Sequence, residues 1–328
     1  MACFNNWERQ VKPVTKLYTD NPFRQWHGNG PRQFASNRLK EDVFYPHFKS
    51  SFVIEESDSI FAIGSCFARA LEPVFRKHGH EVLSETNQFD KWIPDNEIRT
   101  LHVTNKYNPK SIFQDLELAI ENHEPKNKHD FFIDVNDDKF LDPLSCPIFK
   151  PSSLDEICER RKITNQVNAL ASKASILVIT LGLIEVWEDK YSGMTLNFSP
   201  SPRLLSKFKD RFEFKVLTYE EVYIYVEKTI QLLNKCNPGS KKIITVSPIP
   251  LFATFSNEDI VVANTHSKST LRSVAGEFCK SNEDILYFPS YEMVVNNQDA
   301  WMDDLRHVKG DFAHKIIDYL IRETRISD

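Results

Sequence analysis

Ser65 and Cys66 are two candidate nucleophiles within one short segment. They follow an apolar strand, Ile60–Ile63, and a single glycine, Gly64, and they open a predicted helix. A side chain at such a turn is exposed at the carboxyl end of the strand, beside backbone N–H groups and the positive end of the helix dipole. These groups lower the pKa of a thiol and can bind the oxyanion of an acyl-transfer intermediate. The alternative is an ordinary turn in which Ser65 caps the helix.

A second segment, near the C-terminus, could supply a general base. Asp303 and Asp304 precede His307 in the sequence Asp-Asp-Leu-Arg-His. An Asp three residues before a His lets one loop present the imidazole and the carboxylate that orients it, with Asp303 as the alternative orienter. Nucleophile, base and orienter are the parts that nucleophilic acyl transfer requires.

These two segments are similar to motifs of a known family. The sequence Phe-Ala-Ile-Gly-Ser-Cys-Phe-Ala at 61–68 resembles the motif that names the GSCFA family, which belongs to the SGNH-hydrolase-like superfamily. The resemblance continues in order through Thr180–Trp187, Val246–Pro250, Tyr287–Glu292 and Asp304–His307. It implies an acyl-ester enzyme with its nucleophile in the first motif and its Asp–His pair in the last.

The resemblance also bears on which residue attacks. The superfamily carries G-D-S after its first strand, and aligning its glycine with Gly64 places Cys66 at the nucleophile position. A thiol at a helix N-terminus near an imidazole is readily activated, whereas a serine needs a well-placed base. Ser65 remains an alternative nucleophile. A purely structural alternative also remains, because free cysteine is among the most frequently buried residue types.

The oxyanion site departs from the superfamily pattern. The superfamily's third block is G-x-N-D, but the corresponding residues from Gly182 to Glu185 include no asparagine. Backbone N–H groups near Gly64, Cys66 and Gly182 could serve instead, and Asn105 or Asn108 could supply a side-chain amide. Glu185 matches the family's own pattern and is predicted to line the substrate site.

Alternating strands and helices must position these segments. We predict strands at Ile60–Ile63, Glu81–Ser84, Ile176–Leu181, Lys242–Ser247 and Ile285–Phe288, and helices near 66–78, 110–122, 154–172, 219–235 and 309–325. Short, continuous apolar strands between amphipathic helices indicate a three-layer α/β/α, flavodoxin-like fold with about five parallel strands. Ligands bind at the carboxyl ends of such strands, where both catalytic segments are expected.

The remaining segments are predicted to surround this catalytic domain. Residues 1–50 lack a steady period but contain several aromatic side chains, among them Trp7 and Phe44, so we predict an irregular arm that packs on the catalytic domain, 51–328. Two long connections, near 87–150 and 188–218, are predicted to be insertions that cover the site.

The composition excludes several classes of function. The 328-residue chain has a net charge of −5, which does not suggest nucleic-acid binding. Its six cysteines have no paired spacing, which argues against disulfides and a zinc site, and it has neither a signal-peptide pattern nor an apolar run long enough to span a membrane. Nucleotide-binding glycine motifs are also missing. We therefore expect a cytoplasmic protein without a metal or tightly bound cofactor.

Together, these features predict acyl-ester chemistry through a covalent intermediate. The resemblance favours an O-acyl group on a carbohydrate, with acetyl as the simplest case. A thioester intermediate is close in energy to acyl-CoA, which favours transfer slightly over hydrolysis. The alternatives are an esterase with Ser65 as nucleophile and a non-catalytic binding domain on a degenerate fold.

Overall fold

The computed structural model describes residues 21–28, 33–93, 103–122, 128–136 and 138–325. Trp7 and Cys3 lie outside these residues. The chain divides into two compact units, 1–47 and 48–328. In the first unit, a single helical turn, α1 (Ala35–Arg38), places the Arg38 guanidinium 5.0 Å from the Phe23 ring centre. The Phe23 ring in turn stacks on His47.

The second unit contains the strands and the other helices. The strands are β1 (Ile60–Gly64), β2 (Ile133–Asn136), β3 (Lys139–Leu141), β4 (Ile176–Leu181), β5 (Glu185–Asp189), β6 (Thr195–Leu196), β7 (Phe212–Val216), β8 (Lys241–Val246) and β9 (Ile285–Tyr287). The helices are α2 (Cys66–Lys77), α3 (Pro109–Ile120), α4 (Lys128–Phe131), α5 (Leu154–Ala169), α6 (Pro202–Lys207), α7 (Tyr219–Cys236), α8 (Ile260–Ser281), α9 (Ser290–Val295) and α10 (Gly310–Arg325).

The main sheet is parallel and has the strand order β1-β4-β8-β9. Its register aligns Gly64 with Thr180, and Thr180 with Thr245, at the carboxyl ends of the first three strands. The side chains of β1 and β4 are buried along their whole length, as expected for parallel strands covered on both faces. The predicted α/β fold with a parallel central sheet is therefore confirmed.

One of the five predicted strands, Glu81–Ser84, does not form a full strand and is reduced to one parallel bridge between Ile60 and Val82. The Ile60 N–H donates to the Glu81 carbonyl (2.7 Å), and the Leu83 N–H donates to the Ile60 carbonyl (2.8 Å). The next donor, the Ala62 N–H, bonds the side-chain hydroxyl of Ser84 (3.0 Å). Because a side chain replaces the backbone acceptor there, the ladder ends after a single pair.

Helices cover both faces of the sheet. Phe61 and Ile63 belong to a core cluster with residues of α3, α7 and α8, whereas their neighbours Ile60 and Ala62 are buried on the opposite face. On that opposite face, α2 packs against β1, β4 and α10. This gives the three layers that the sequence predicts.

Helix α8, which has 22 residues, was not predicted. Its first turns contain Ile260, Val261, Val262 and Thr265, β-branched residues that lower helix propensity and obscure an amphipathic stripe. The signal that could have revealed it is Asp259, the N-cap, whose carboxylate accepts the Val261 N–H (2.8 Å). Packing of Leu271, Val274 and Phe278 into the core compensates for the weak local preference.

Two small antiparallel sheets lie in the long connections. Strands β2 and β3 pair within 87–150, and β6-β5-β7 forms a sheet whose strands lie between Glu185 and Val216, with α6 between β6 and β7. A buried ion pair supports the second sheet, because the Arg211 guanidinium donates two hydrogen bonds to the Asp189 carboxylate (2.8 and 2.7 Å). Within the described residues, both connections therefore contain regular secondary structure.

Gly64 is expected to tolerate no side chain. Its φ is +134°, and a Cβ there would lie 2.1 Å from the Thr180 carbonyl oxygen. Gly79 also has a positive φ, +91°, but has open space around it. We expect Gly79→Ala to lower the free energy of unfolding by about 1 kcal/mol from strain alone. Gly64→Ala adds a backbone collision and should cost on the order of 4 kcal/mol or more. Urea denaturation of both variants measures the difference, and equal losses would contradict the close approach of β1 and β4.

Candidate active site

The turn after β1 presents Cys66 and buries Ser65. Ser65 is the N-cap of α2; its hydroxyl accepts the Phe67 N–H (3.3 Å), and its own N–H donates to the Thr180 hydroxyl (3.0 Å). Only 3% of Ser65 is exposed. Cys66, the first residue of α2, is half-buried. The hydroxyl is therefore committed to the turn, whereas the thiol is the more accessible of the two groups.

Gly182, after β4, lies directly beside this turn. A Cβ on Gly182 would approach the Tyr107 carbonyl oxygen to 2.4 Å and the Ser65 Cβ to 3.5 Å. The segment before α3 completes the contact, because the Lys106 N–H donates to the Gly64 carbonyl (2.6 Å) and the Leu183 N–H donates to the Tyr107 carbonyl (2.9 Å). Gly64, Gly182 and the Asn105–Asn108 segment are thus brought together at the carboxyl edge of the sheet.

The Cys66 thiol lies among opposing electrostatic influences. Burial is the largest influence and leaves the pKa of the thiol raised, although the positive charges of Arg306 and Lys268 lower it. Cys146 adds a smaller effect that raises the pKa. Arg306 belongs to the C-terminal loop, so this interaction connects the first and last sequence motifs.

The C-terminal loop holds Asp304 and His307 as a pair. The Asp304 carboxylate accepts the backbone N–H groups of Arg306 (3.0 Å) and His307 (2.9 Å) through one oxygen, and the other oxygen lies 2.5 Å from Nδ1 of the His307 ring. Leu305, between them, has a positive φ of 52°. The backbone and ring hydrogen bonds from His307 hold the pKa of Asp304 well below its usual range. The predicted orienter, Asp304, is therefore the carboxylate that contacts the imidazole.

Asp304 and Arg306 together determine the tautomer of His307. The Arg306 guanidinium lies 3.0 Å from Nε2 of His307, and a guanidinium can only donate hydrogen bonds. Nε2 therefore accepts, and the neutral ring carries its proton on Nδ1, toward Asp304. This is the tautomer that a general base needs. Among the described residues, no hydrogen bond joins the His307 ring to Cys66 or Ser65. The Nε2 lone pair, which a general base would use, instead accepts a hydrogen bond from Arg306.

Asn105 carries a buried amide at the same edge. Its Nδ2 donates to the Tyr107 hydroxyl (3.4 Å), and its Oδ1 is buried without a hydrogen-bond partner in the described part of the chain. Burial raises the pKa of Tyr107, which keeps that phenol neutral. Asn108, the other candidate amide, caps α3 by accepting the Ser111 N–H (2.8 Å). Asn105 is therefore the asparagine of the two with a buried side-chain atom that has no partner among the described residues.

Glu185 supports a neighbouring segment. One carboxylate oxygen accepts the Thr254 hydroxyl (2.6 Å), and the other accepts the Phe255 N–H (3.1 Å). This segment also carries Phe252, whose ring is 85% exposed and lies 5.4 Å from the Arg306 guanidinium carbon. Glu185 thus anchors a segment that adjoins the C-terminal loop.

Three residues of this region were not identified from the sequence: Asn197, Lys268 and Arg306. Asn197 is buried and joins the site from the second small sheet, because its amide donates to the Asn105 carbonyl (2.6 Å) and accepts the Tyr107 N–H (3.0 Å). Nothing local marks it. Lys268 lies on the unpredicted helix α8. Arg306 lies within the Asp–His motif and could have been found by considering the whole loop.

The described residues contain no group of three or more His, Cys, Asp or Glu side chains that could hold a metal ion. None of their helices has the length and apolar character required to cross a bilayer.

Comparisons with known proteins yield similarities of very different strength. The sequence matches no curated protein. Among solved structures, it is similar to a serine-to-alanine mutant of an acetyl esterase with an acetate ion (10% identity, TM-score 0.35, covering 82% of this chain and 98% of that one). It is also similar to a carbohydrate esterase family 3 protein from Talaromyces cellulolyticus (15% identity, TM-score 0.26, covering 49% and 66%). Both TM-scores are too low to carry an argument about this chain.

The family comparison is extensive. The model of the GSCFA family matches residues 59–320, a range that begins just before β1 and ends within α10. It includes the Gly64–Cys66 turn, Gly182 and the Asp304–His307 pair. The chain is therefore a member of the GSCFA family.

Proposed function

We propose that this protein is an acyl-transfer enzyme of the SGNH type that works through a covalent acyl-enzyme. One observation carries the proposal. Cys66 begins a helix at the carboxyl edge of a parallel sheet, and the charge of Arg306, from the loop that holds the Asp304–His307 pair, acts on its thiol. Nucleophile, base and orienter are then supplied from opposite ends of the chain.

Cys66 is the favoured nucleophile. Ser65 is buried, and its oxygen accepts a backbone hydrogen bond at the helix cap, which opposes its use in attack. Cys66 is half-buried and has two positive charges near its thiol. Catalysis by Ser65 remains the alternative within the same reaction class.

In the first stage, the Cys66 thiol transfers its proton to Nε2 of His307, and the thiolate attacks the acyl carbonyl. The Sγ–C bond forms while the carbonyl electron pair moves to oxygen. Collapse of this intermediate breaks the bond to the leaving group, which takes the proton from His307. Because Arg306 donates to Nε2 in the present arrangement, it must release this nitrogen before His307 can accept the proton.

The oxyanion requires hydrogen-bond donors close to Cys66. The Cys66 N–H, at the start of α2, and the Gly182 N–H are backbone candidates. The Asn105 amide is the side-chain candidate. The nitrogen and oxygen of this amide are assigned from their hydrogen bonds, and a rotation of the amide by half a turn exchanges them. In the rotated amide, Oδ1 would accept a hydrogen bond from the Tyr107 hydroxyl, and the NH₂ group would take the position of the buried, unpartnered oxygen.

The proposed substrate is an O-acyl group on a carbohydrate, with acetyl as the simplest case. A thioester on Cys66 is close in energy to acyl-CoA, which would be a suitable donor in a cytoplasmic protein. This favours transfer to an acceptor hydroxyl over hydrolysis by water. Both outcomes use the same residues, because in each case His307 activates the oxygen that attacks the thioester.

Trapping of the acyl-enzyme tests this function. The protein is mixed with p-nitrophenyl acetate or acetyl-CoA, quenched in acid and analysed by intact-protein and peptide mass spectrometry. We expect one acetyl group on Cys66, removable by neutral hydroxylamine, which cleaves thioesters but leaves oxygen esters. An adduct on Ser65 that resists hydroxylamine would identify the serine as nucleophile. Failure of both donors and longer acyl esters to label the protein would favour a binding domain.

A further inference from the structure

Lys268 is a buried cation without a carboxylate partner. Its side chain, on α8, is 1% exposed, and Nζ donates to the carbonyl oxygens of Gly182 (2.6 Å) and Ile249 (2.7 Å). Among the described residues, two other lysines are fully buried, and each has an acidic partner: Lys106 pairs with Asp115 (2.9 Å), and Lys242 pairs with Asp284 (3.1 Å). Within the described residues, Lys268 has none. Carbonyl dipoles solvate an ammonium group but do not neutralise it, so a buried lysine of this kind needs an explanation.

One of the two carbonyls that hold Lys268 belongs to the site itself. A Cβ on Gly182 would lie 3.5 Å from the Cβ of Ser65, the residue before Cys66, whereas Ile249 follows β8. The preceding residue, Ser267, accepts the Ile184 N–H (3.1 Å). Two consecutive side chains of α8, those of Ser267 and Lys268, therefore form hydrogen bonds with the backbone of the turn after β4. The ammonium group of Lys268 contacts that turn through the Gly182 carbonyl.

Several charged and titratable groups among the described residues act on this pair. Cys66 and Arg306 act on Lys268, and Arg306, Lys268 and Cys146 act on Cys66. Cys66 also acts on the phenol of Tyr107, which burial keeps neutral. Burial lowers the pKa of Lys268 to about 7, Cys66 raises it, and Arg306 lowers it. Cys66 is thus the one anionic counterpart among the groups that act on Lys268.

We propose that Lys268 is a positioning residue that fixes the Gly182 turn and supplies a buried positive charge that stabilises the Cys66 thiolate. Removing the thiol proton in a poorly solvated place costs free energy, and a fixed ammonium group offsets part of it. Ionisation of Cys66 raises the pKa of Lys268, so the ammonium form is favoured when the thiolate is present. A role in turnover rests on the proposed function, but the effect on the thiol does not.

The test measures the thiol directly. Cys66 alkylation by iodoacetamide is followed from pH 6 to pH 10 by peptide mass spectrometry in the wild type and Lys268→Met. We expect the apparent pKa of Cys66 to rise by about one unit or more in the variant, so that alkylation near neutral pH slows about tenfold. Lys242→Met, which removes an equally buried lysine with its own carboxylate partner, should leave the Cys66 profile unchanged. An unchanged profile in folded Lys268→Met overturns the proposal.

A second measurement applies if Lys268→Met does not fold. Arg306→Met, a change in a half-buried loop residue, leaves Lys268 as the positive charge that acts on Cys66. In this variant, the anionic reagent iodoacetate should still be favoured over neutral iodoacetamide at Cys66, relative to the same cysteine in urea-unfolded protein. Loss of this preference overturns the proposal. Neither experiment requires catalysis, so absence of an acyl-enzyme and absence of the charge effect are separate results.

Discussion

Cys66→Ala is expected to abolish acyl-enzyme formation and to reduce turnover by about four to six powers of ten. The thiol is the group that forms the covalent bond, and no described neighbour can replace it, since the Ser65 hydroxyl is buried at the helix cap. The loss of one half-buried sulfur should lower the free energy of unfolding by about 1 kcal/mol or less. Steady-state kinetics with an activated acetyl ester, together with thermal unfolding, measures both effects.

Ser65→Ala is the matched control. It removes a helix cap, which should cost about 1 kcal/mol of stability, but it leaves the thiol in place. We therefore expect a modest fall in turnover and a normal acyl-enzyme. Activity that survives Cys66→Ala but disappears in Ser65→Ala would assign the attack to the serine.

Local sequence patterns were sufficient for most of the main sheet. Strands β1, β4, β8 and β9 are short apolar runs, and the helices that flank them carry clear caps or apolar stripes. Thr218 and Glu221, for example, form a capping box at the start of α7. Helix α8 could not be recognised this way, because tertiary packing rather than local preference stabilises it. Residues on that helix, including Lys268, were consequently missing from the predicted site.

The residues of the candidate site also differ in whether the local sequence predicts their position. The turn around Cys66 and the Asp304–His307 pair are each encoded within a few consecutive residues, so their spacing is visible in the sequence. The contacts of Asn197 with Asn105 and Tyr107 span about 90 residues and have no local signature. The interaction of Arg306 with the His307 ring depends on the path of the loop, including the positive φ of Leu305. Spacing can identify candidate groups, but only the fold determines which groups face them.

Asp304 should remain ionised throughout the working range of the enzyme. Its folded pKa is depressed, so the carboxylate is fully formed above its usual value, near pH 4, and its stabilising contacts are lost only as the pH falls through the lower folded value. The rate profile of the wild type between pH 5 and pH 9 should therefore contain no step from Asp304. A plot of kcat/KM against pH over this range tests this expectation.

Asp304→Asn should lower turnover by several powers of ten with little change in stability. The carboxylate is exposed, yet it specifies the Nδ1–H tautomer of His307, and an asparagine amide can also donate and stabilise the wrong one. His307→Ala, which removes the base itself, should cost at least as much. Asp303→Asn changes the neighbouring exposed carboxylate and is the matched control, with near wild-type turnover expected. A mild effect of His307→Ala beside a severe effect of His266→Ala would move the active site away from the C-terminal loop.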